Sequence, residues 1–124
     1  MKRLVWVVLL SAVLGCEDSG PKAGPLKVNL TTPNNGGDGA ILLTVSGPGV
    51  LAGAAPRAGL RLFARPFTTV NKVALTGALT NGTILTIEVP DVSKASAYSA
   101  TIQQVATPAY QLRALTGYSL TVVP

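Results

Sequence analysis

The chain has 124 residues, enough for a single domain of ordinary size. Hydrophobic residues make up 48% of it and charged residues only 12%, a composition of compact chains rather than disordered ones. The chain has no histidine and a single cysteine, which excludes an internal disulfide and any zinc site or catalytic base built on histidine.

The first predicted element is an export signal. Lys2 and Arg3 give it a positively charged start, and residues 4–14 form an apolar run of eleven residues that includes one serine, Ser11. A membrane-spanning helix needs about 20 apolar residues, whereas the apolar region of a secretory signal has about 7–15. We therefore expect a cleaved signal-peptide helix over residues 1–15. Its removal leaves 8 basic and 5 acidic residues, a net charge of +3 that gives no indication of a nucleic-acid partner.

The end of this signal, Val13-Leu14-Gly15-Cys16, resembles the lipobox of bacterial lipoproteins. The resemblance implies cleavage between Gly15 and Cys16 and attachment of diacylglycerol to the Cys16 thiol. Two or three acyl chains then hold the protein on a membrane, since each buried methylene contributes about 0.8 kcal/mol. By the same resemblance, Glu17 favours the outer membrane of the cell envelope over the inner one. The alternative is an ordinary secreted protein with an unpaired cysteine.

After the signal, residues 16–25 predict a lipidated cysteine followed by a flexible tether, because they are small and polar and include two prolines. Residues 26–124 predict a folded domain. Its apolar residues alternate with polar ones in short runs separated by Gly, Pro and Asn, which is the pattern of half-buried strands. Strands are predicted over residues 26–31, 40–46, 59–65, 70–79, 83–89, 98–103 and 118–123.

No segment of the chain has an amphipathic helical period across three turns. Residues 50–58 predict a loop with one helical turn, and residues 91–96 a short turn or helical link. The domain is therefore expected to be all-β, a single two-sheet antiparallel sandwich of about 7–8 strands. In the clearest strand the alternation predicts three inward side chains, Leu85, Ile87 and Val89, and three outward ones, Ile84, Thr86 and Glu88.

Two further sequence patterns resemble parts of known β-sandwich families. Tyr98, after the SKASA link, resembles the tyrosine corner of immunoglobulin-like sandwiches, and GTILTIEV…SAYSATI resembles the later strands of bacterial cohesin-type modules. The Cys-Trp-Cys pattern of antibody domains is absent. The resemblance therefore implies an Ig-like or cohesin-like architecture and carries no function.

Few residues offer catalytic chemistry. The acids available for a glycosidase-type pair are Asp38, Glu88 and Asp91, and the last two flank a proline at a strand end, where acids serve solubility and turns. Residues 34–39 resemble part of a calcium loop, but Val45 stands where the closing glutamate belongs. We therefore predict a protein that is not an enzyme and has no cofactor and no metal site.

One surface offers binding chemistry. Arg61, Phe63 and Arg65 should project together from their strand, with Arg57 just before it. Cations beside an aromatic ring can grip anionic sugars or headgroups. Alternatively, Phe63 packs under a loop or against the second sheet and the arginines are simply solvated.

Two functions follow from these patterns. The first is a lipid-anchored envelope protein that acts as an interaction, adhesion or assembly module with an envelope protein or glycan partner. The second is a carbohydrate or anionic-glycan binding module that uses the Arg61–Phe63–Arg65 face.

Overall fold

The computed structural model describes residues 20–48, 53–66 and 70–124, with Arg65 and Pro66 described by their backbone alone. The predicted signal peptide, its cleavage point and Cys16 lie outside the described residues. The described elements are the following: β1 (Gly24–Thr31), β2 (Asp38–Ser46), β3 (Gly53–Pro56), β4 (Arg61–Pro66), β5 (Val70–Leu79), β6 (Gly82–Val89), the 3₁₀ helix η1 (Val92–Ala97), β7 (Ser99–Ala106) and β8 (Ser119–Val123).

The strands form two four-stranded antiparallel sheets. Sheet A has the order β3-β6-β1-β8, and sheet B has the order β4-β5-β2-β7. Among the described strands, β4 and β5 are the only consecutive pair that lie side by side, and every other step along the chain crosses to the opposite sheet. The predicted two-sheet antiparallel β-sandwich is thus confirmed, with eight strands.

The inner faces of the two sheets meet in one apolar core, and period-two alternation fills it. Every second residue is buried from Leu26 onward in β1 and from Ile41 onward in β2, as are the three inward residues predicted on β6. The fully buried large side chains are Leu26, Val28, Ile41, Leu43, Val45, Val73, Leu75, Leu79, Ile84, Leu85, Ile87 and Val89. Burying each such side chain contributes about 1.5–3 kcal/mol, so this core dominates the stability of the domain.

Ile84 corrects one prediction, because it is fully buried rather than outward. Along the β1–β6 pair, Leu85 lies opposite Val28 but Thr83 lies opposite Asn29, which makes Ile84 the extra residue of a β-bulge. The bulge interrupts the alternation. Consecutive residues of β6 therefore both enter the core.

Residues 53–56 correct a second prediction. They form edge strand β3 of sheet A, where a loop with a helical turn was expected, and pair with residues 85–88 of β6. Their sequence, GAAP, has no alternation to indicate a strand. The pairing with β6 imposes the extended conformation, and Pro56 is tolerated because β3 is an edge strand.

Tyr98 precedes β7 and is buried. Its hydroxyl donates to the carbonyl of Pro48 at 2.8 Å, and its ring covers Gly47, where any Cβ would overlap the ring. The hydroxyl thus fastens the start of β7 to the end of β2. In a tyrosine corner it would instead bond to backbone a few residues upstream.

The two ends of the sandwich are distinct. At the end we call the tether end, β1 starts at Gly24, and the amide of Val92 donates to the carbonyl of Lys22 at 2.8 Å. The opposite end, here the loop end, is formed by the β1–β2 loop, the β5–β6 turn and residues 107–118. Residues 20–22, where the described part of the chain begins, therefore lie at the end opposite these loops.

Asp91 caps η1 at the tether end. Its carboxylate accepts hydrogen bonds from the hydroxyl of Ser93 at 2.6 Å and from the amide of Ser93 at 3.1 Å. These bonds favour the ionised form and lower the pKa of Asp91 from its ordinary value. The carboxylate thus has a local structural role at the start of the helix.

Candidate functional site

The outer face of sheet B consists of the side chains of β4, β5, β2 and β7 that point away from the core. Strand pairing arranges them in rows across the sheet. The central row is Phe63, Ala74, Leu42 and Gln104; the row nearer the loop end is Arg61, Thr76, Ala40 and Ala106; the row nearer the tether end is Lys72, Thr44 and Thr101.

This face is apolar in the middle and positively charged at its β4–β5 side. Phe63 is 59% exposed, and it stands beside the half-buried Leu42 and Ala74. Arg61 and Lys72 are exposed in the two neighbouring rows. Among the described residues no carboxylate points outward from these rows, so every charge on this face is positive.

The outer face of sheet A has a different chemistry. Lys27 of β1 lies opposite Thr86 of β6, and Asn29 lies between Thr83 and Thr121. The hydroxyl of Thr83 donates to the side-chain oxygen of Asn29 at 2.6 Å. Glu88 adds a negative charge to the same face. A polar face of mixed sign therefore covers one side of the sandwich and an apolar, basic face covers the other.

The residues predicted for a binding face are not all together. Arg61 and Phe63 share the outer face of sheet B, and because Phe63 is 59% exposed it does not pack beneath a loop. Arg65 lies opposite Lys72 by its backbone, and its side chain is outside the described residues. The guanidinium of Arg57 is half-buried and donates to Thr80 and to the carbonyl of residue 78, so Arg57 holds the β5–β6 turn.

A cleft opens at the loop end of this face, with a volume of about 530 Å³. Phe63 of β4 borders it on one side, and the loop after β7 borders it on the other with Pro108 and Tyr110. Its floor is made of small residues, Gly39, Ala40, Thr76, Gly77 and Ala78. Pro108 lies directly over Gly39, where a Cβ would come within 3.0 Å of it. The absence of a side chain at position 39 thus allows the loop to close against β2.

Tyr110 is the most exposed aromatic side chain in the described part of the chain, at 93%. Its φ of 63° is left-handed, which costs a bulky residue on the order of 1–2 kcal/mol. Two backbone hydrogen bonds hold the turn: the amide of Tyr110 donates to the carbonyl of Thr107, and the amide of Thr107 donates to the carbonyl of Gln111. A strained turn therefore presents this ring beside the cleft.

The segment that carries Tyr110 is fastened to β2 by a buried carboxylate. The side chain of Asp38 is fully buried, and it accepts hydrogen bonds from Nε of Arg113 at 2.8 Å and from the hydroxyl of Tyr118 at 2.6 Å. The side-chain nitrogen Nδ2 of Asn34 donates to the same hydroxyl at 2.7 Å. This Asp38 network joins the β1–β2 loop, the start of β2 and the segment before β8.

The acids considered for catalysis are far apart in the fold. Asp38 is buried at the loop end, Glu88 is on the outer face of sheet A, and Asp91 caps η1 at the tether end. The oxygens of the 34–39 loop are used internally; the side chain of Asn35, for example, accepts from the amide of Asn81. Across residues 20–48, 53–66 and 70–124, no three side chains of the metal-binding types are clustered.

Comparison with protein-family models, with curated proteins and with solved structures finds no match to this chain. The part of the chain that the structure describes contains no helix of the length and hydropathy needed to span a bilayer. The chemistry of the two sheet faces and of the cleft is therefore the basis for inferring a function.

Sequence patterns missed the cleft and the Asp38 network. The signal for Tyr110 was weak: an aromatic residue within TPAYQ, a polar and proline-containing connection, which is where exposed binding residues are often carried. Asp38 looked like an ordinary turn residue, because its partners Arg113 and Tyr118 come from the far end of the chain.

Proposed function

We propose that the protein is a lipid-anchored protein of the bacterial cell envelope whose β-sandwich is a non-catalytic interaction module. In this proposal the acyl chains on Cys16 hold the protein to the outer membrane, and the outer face of sheet B contacts the partner. We assign the contact to sheet B because the two outer faces differ: that of sheet B is apolar and basic, whereas that of sheet A is polar and of mixed charge.

The anchor is supported by the sequence of the first sixteen residues and is compatible with the direction of the chain. Residues 17–21 connect Cys16 to Lys22, and this short link reaches the sandwich at its tether end. Five extended residues span at most about 18 Å, so the tether end stays close to the lipid headgroups. The loop end, with Tyr110, then faces away from the membrane.

Replacing Cys16 with alanine tests the anchor. We expect cells that make the wild-type protein to incorporate labelled palmitate into it, and we expect detergent to be needed for its extraction. Cys16→Ala should abolish labelling and stop processing of the signal, because the thiol that receives diacylglycerol is gone. Wild-type protein that appears unlabelled in the soluble fraction would contradict the anchor.

The contact surface is supported by its composition. Soluble proteins rarely leave apolar sheet faces open without a partner, and interfaces are enriched in aromatic residues and arginine. Phe63, Leu42 and Ala74 provide the apolar centre, while Arg61 and Lys72 provide directional polar contacts. The polar, mixed-charge face of sheet A has none of these properties.

Two exposed lysines allow a matched test of the contact surface. A photoreactive amino acid at Lys72 samples the outer face of sheet B, and the same group at Lys27 samples the outer face of sheet A. In cells that make the full-length protein, irradiation should give a discrete adduct from position 72 and none from position 27. Adducts from position 27 alone, or equal adducts from both, would refute the assignment of the face.

A further inference from the structure

We infer that the cleft between Phe63 and Tyr110 binds a sugar ring that carries a carboxylate, such as a uronic-acid unit of an anionic polysaccharide. This inference rests on the proposed contact surface and names the class of ligand that one part of it takes. Tyr110, Pro108 and the small residues of the floor were not part of the face predicted from the sequence.

The shape of the cleft suits a flat ring. Its volume of about 530 Å³ is in the range of small-molecule sites, and Gly39, Ala40, Gly77 and Ala78 keep its floor low. A ring that rests on this floor contacts backbone and methyl groups. Thr76 adds one hydroxyl to the lining, which can bond to a sugar hydroxyl.

Two aromatic rings border the cleft, and both are exposed. Phe63 belongs to a strand and Tyr110 to a loop that comes from the opposite edge of sheet B. Aromatic faces pack against the C–H face of a sugar, and the hydroxyl of Tyr110 adds a donor and an acceptor at the rim. The left-handed turn fixes the backbone of Tyr110, so the point at which its side chain leaves the rim of the cleft is set before the ligand arrives.

The charges near the cleft select an acidic sugar over a neutral one. Arg61 lies directly opposite Thr76, which lines the cleft, and its guanidinium can hold a carboxylate by two parallel hydrogen bonds. Lys72 adds a second positive charge two rows away. The one carboxylate in the lining, that of Asp38, is buried and paired with Arg113, so it does not repel an anion strongly.

The same observations disfavour two other occupants. A second copy of the chain would bring Arg61 and Lys72 against their own positive counterparts. The membrane surface is disfavoured because the cleft is at the loop end, opposite the tether end. An acidic peptide shares the charge of a uronic acid but lacks a sugar face to stack on the two rings, and it serves as a competitor in the test.

The test is calorimetric titration of the full-length lipidated protein in detergent. Three probes are compared: oligogalacturonate, a neutral gluco-oligosaccharide of the same length and oligoglutamate. We expect oligogalacturonate to bind about tenfold more tightly than either of the other two, and its affinity to fall with added salt. Equal or tighter binding of oligoglutamate would contradict the inference that the ligand is a sugar, and it would favour an acidic protein partner.

Three variants test whether oligogalacturonate binds in the cleft. Tyr110→Asn removes the ring while keeping a residue that tolerates a left-handed φ, and it should weaken oligogalacturonate binding by about fivefold or more. Arg61→Gln should reduce the affinity for oligogalacturonate to that for the neutral probe. Lys27→Gln, on the outer face of sheet A, is the control and should change nothing; an equal loss in this control would overturn the inference.

The two experiments distinguish a wrong sugar site from a wrong contact surface. If position 72 gives crosslinked adducts but none of the three probes binds, the contact surface stands and the sugar site is wrong. If neither adducts nor binding appear, both are wrong. Thermal unfolding of Tyr110→Asn and Arg61→Gln is measured alongside, and an unchanged transition ties any loss of binding to the missing side chain.

Discussion

Replacing Ile87 with aspartate should unfold the sandwich completely. Ile87 is fully buried, lies opposite Leu26 and belongs to β6, which pairs with both β1 and β3 in the middle of sheet A. An unpaired carboxylate in such a site costs several kcal/mol, and the lost packing of the isoleucine adds about 2–5 kcal/mol. Together these terms are comparable to the whole stability of a small domain, about 5–15 kcal/mol. We expect loss of the β-type circular dichroism spectrum and of the cooperative thermal transition.

The matched control is the neighbouring substitution, Thr86→Asp. Thr86 is half-exposed on the outer face of sheet A and lies opposite Lys27, so a new carboxylate there meets water and a positive charge. Its effect on stability should stay within about 1 kcal/mol. Similar behaviour of the two variants would mean that the inward and outward faces of β6 are assigned wrongly.

Asp38→Ala should destabilise the protein by about 2–4 kcal/mol, the second-largest effect expected. The substitution leaves Nε of Arg113 and the hydroxyl of Tyr118 without their acceptor at the loop end. The side chain of Arg113 is 35% exposed and can turn toward water, which limits the loss. Urea denaturation measures the free energy of unfolding, and hydrogen exchange at the amides of residues 107–113 should accelerate as the segment loosens.

Two further substitutions define what Asp38 contributes. Asp38→Asn keeps one oxygen acceptor but places an amide group toward a second donor, so its loss should be smaller than that of the alanine variant. Glu88→Ala removes an exposed carboxylate of the same charge and should change stability by less than about 1 kcal/mol. A loss of stability in Glu88→Ala as large as that in Asp38→Ala would show that net charge matters here and the network does not.

The regular parts of the core could be predicted from the sequence because strand alternation is a local property. From Leu26 in β1 and from Ile41 in β2, every second residue faces the core, and this pattern can be seen without knowing any distant partner. The same holds for Leu85, Ile87 and Val89. The burial of Ile84 could not be predicted in this way, because a bulge depends on the register between β6 and β1. Strand β3 could not be predicted either, because its extended conformation comes from pairing with β6.

The candidate site was predictable only in part, for the same physical reason. Arg61 and Phe63 alternate within one strand, so their shared face is visible in six residues of sequence. The opposite wall of the cleft comes from Pro108 and Tyr110. The fold brings this wall there through the contact of Pro108 with Gly39 and the one hydrogen bond from Nε of Arg113 to Asp38. Nothing in a local pattern indicates a contact between segments so far apart along the chain.

The position of β1 sets the order in which the domain can form. Among the described strands β1 is synthesised first, yet it occupies the interior of sheet A between β6 and β8, which are made much later. Until residues 82–89 have emerged, the apolar side chains of β1 have no neighbouring strand to pair with, and closure of such distant segments is slow. Sheet A of a chain with this order cannot form until residues 82–89 are available to pair with β1. In the proposed lipoprotein, which must be exported before it folds, this delay would keep the chain competent for translocation until most of it has crossed.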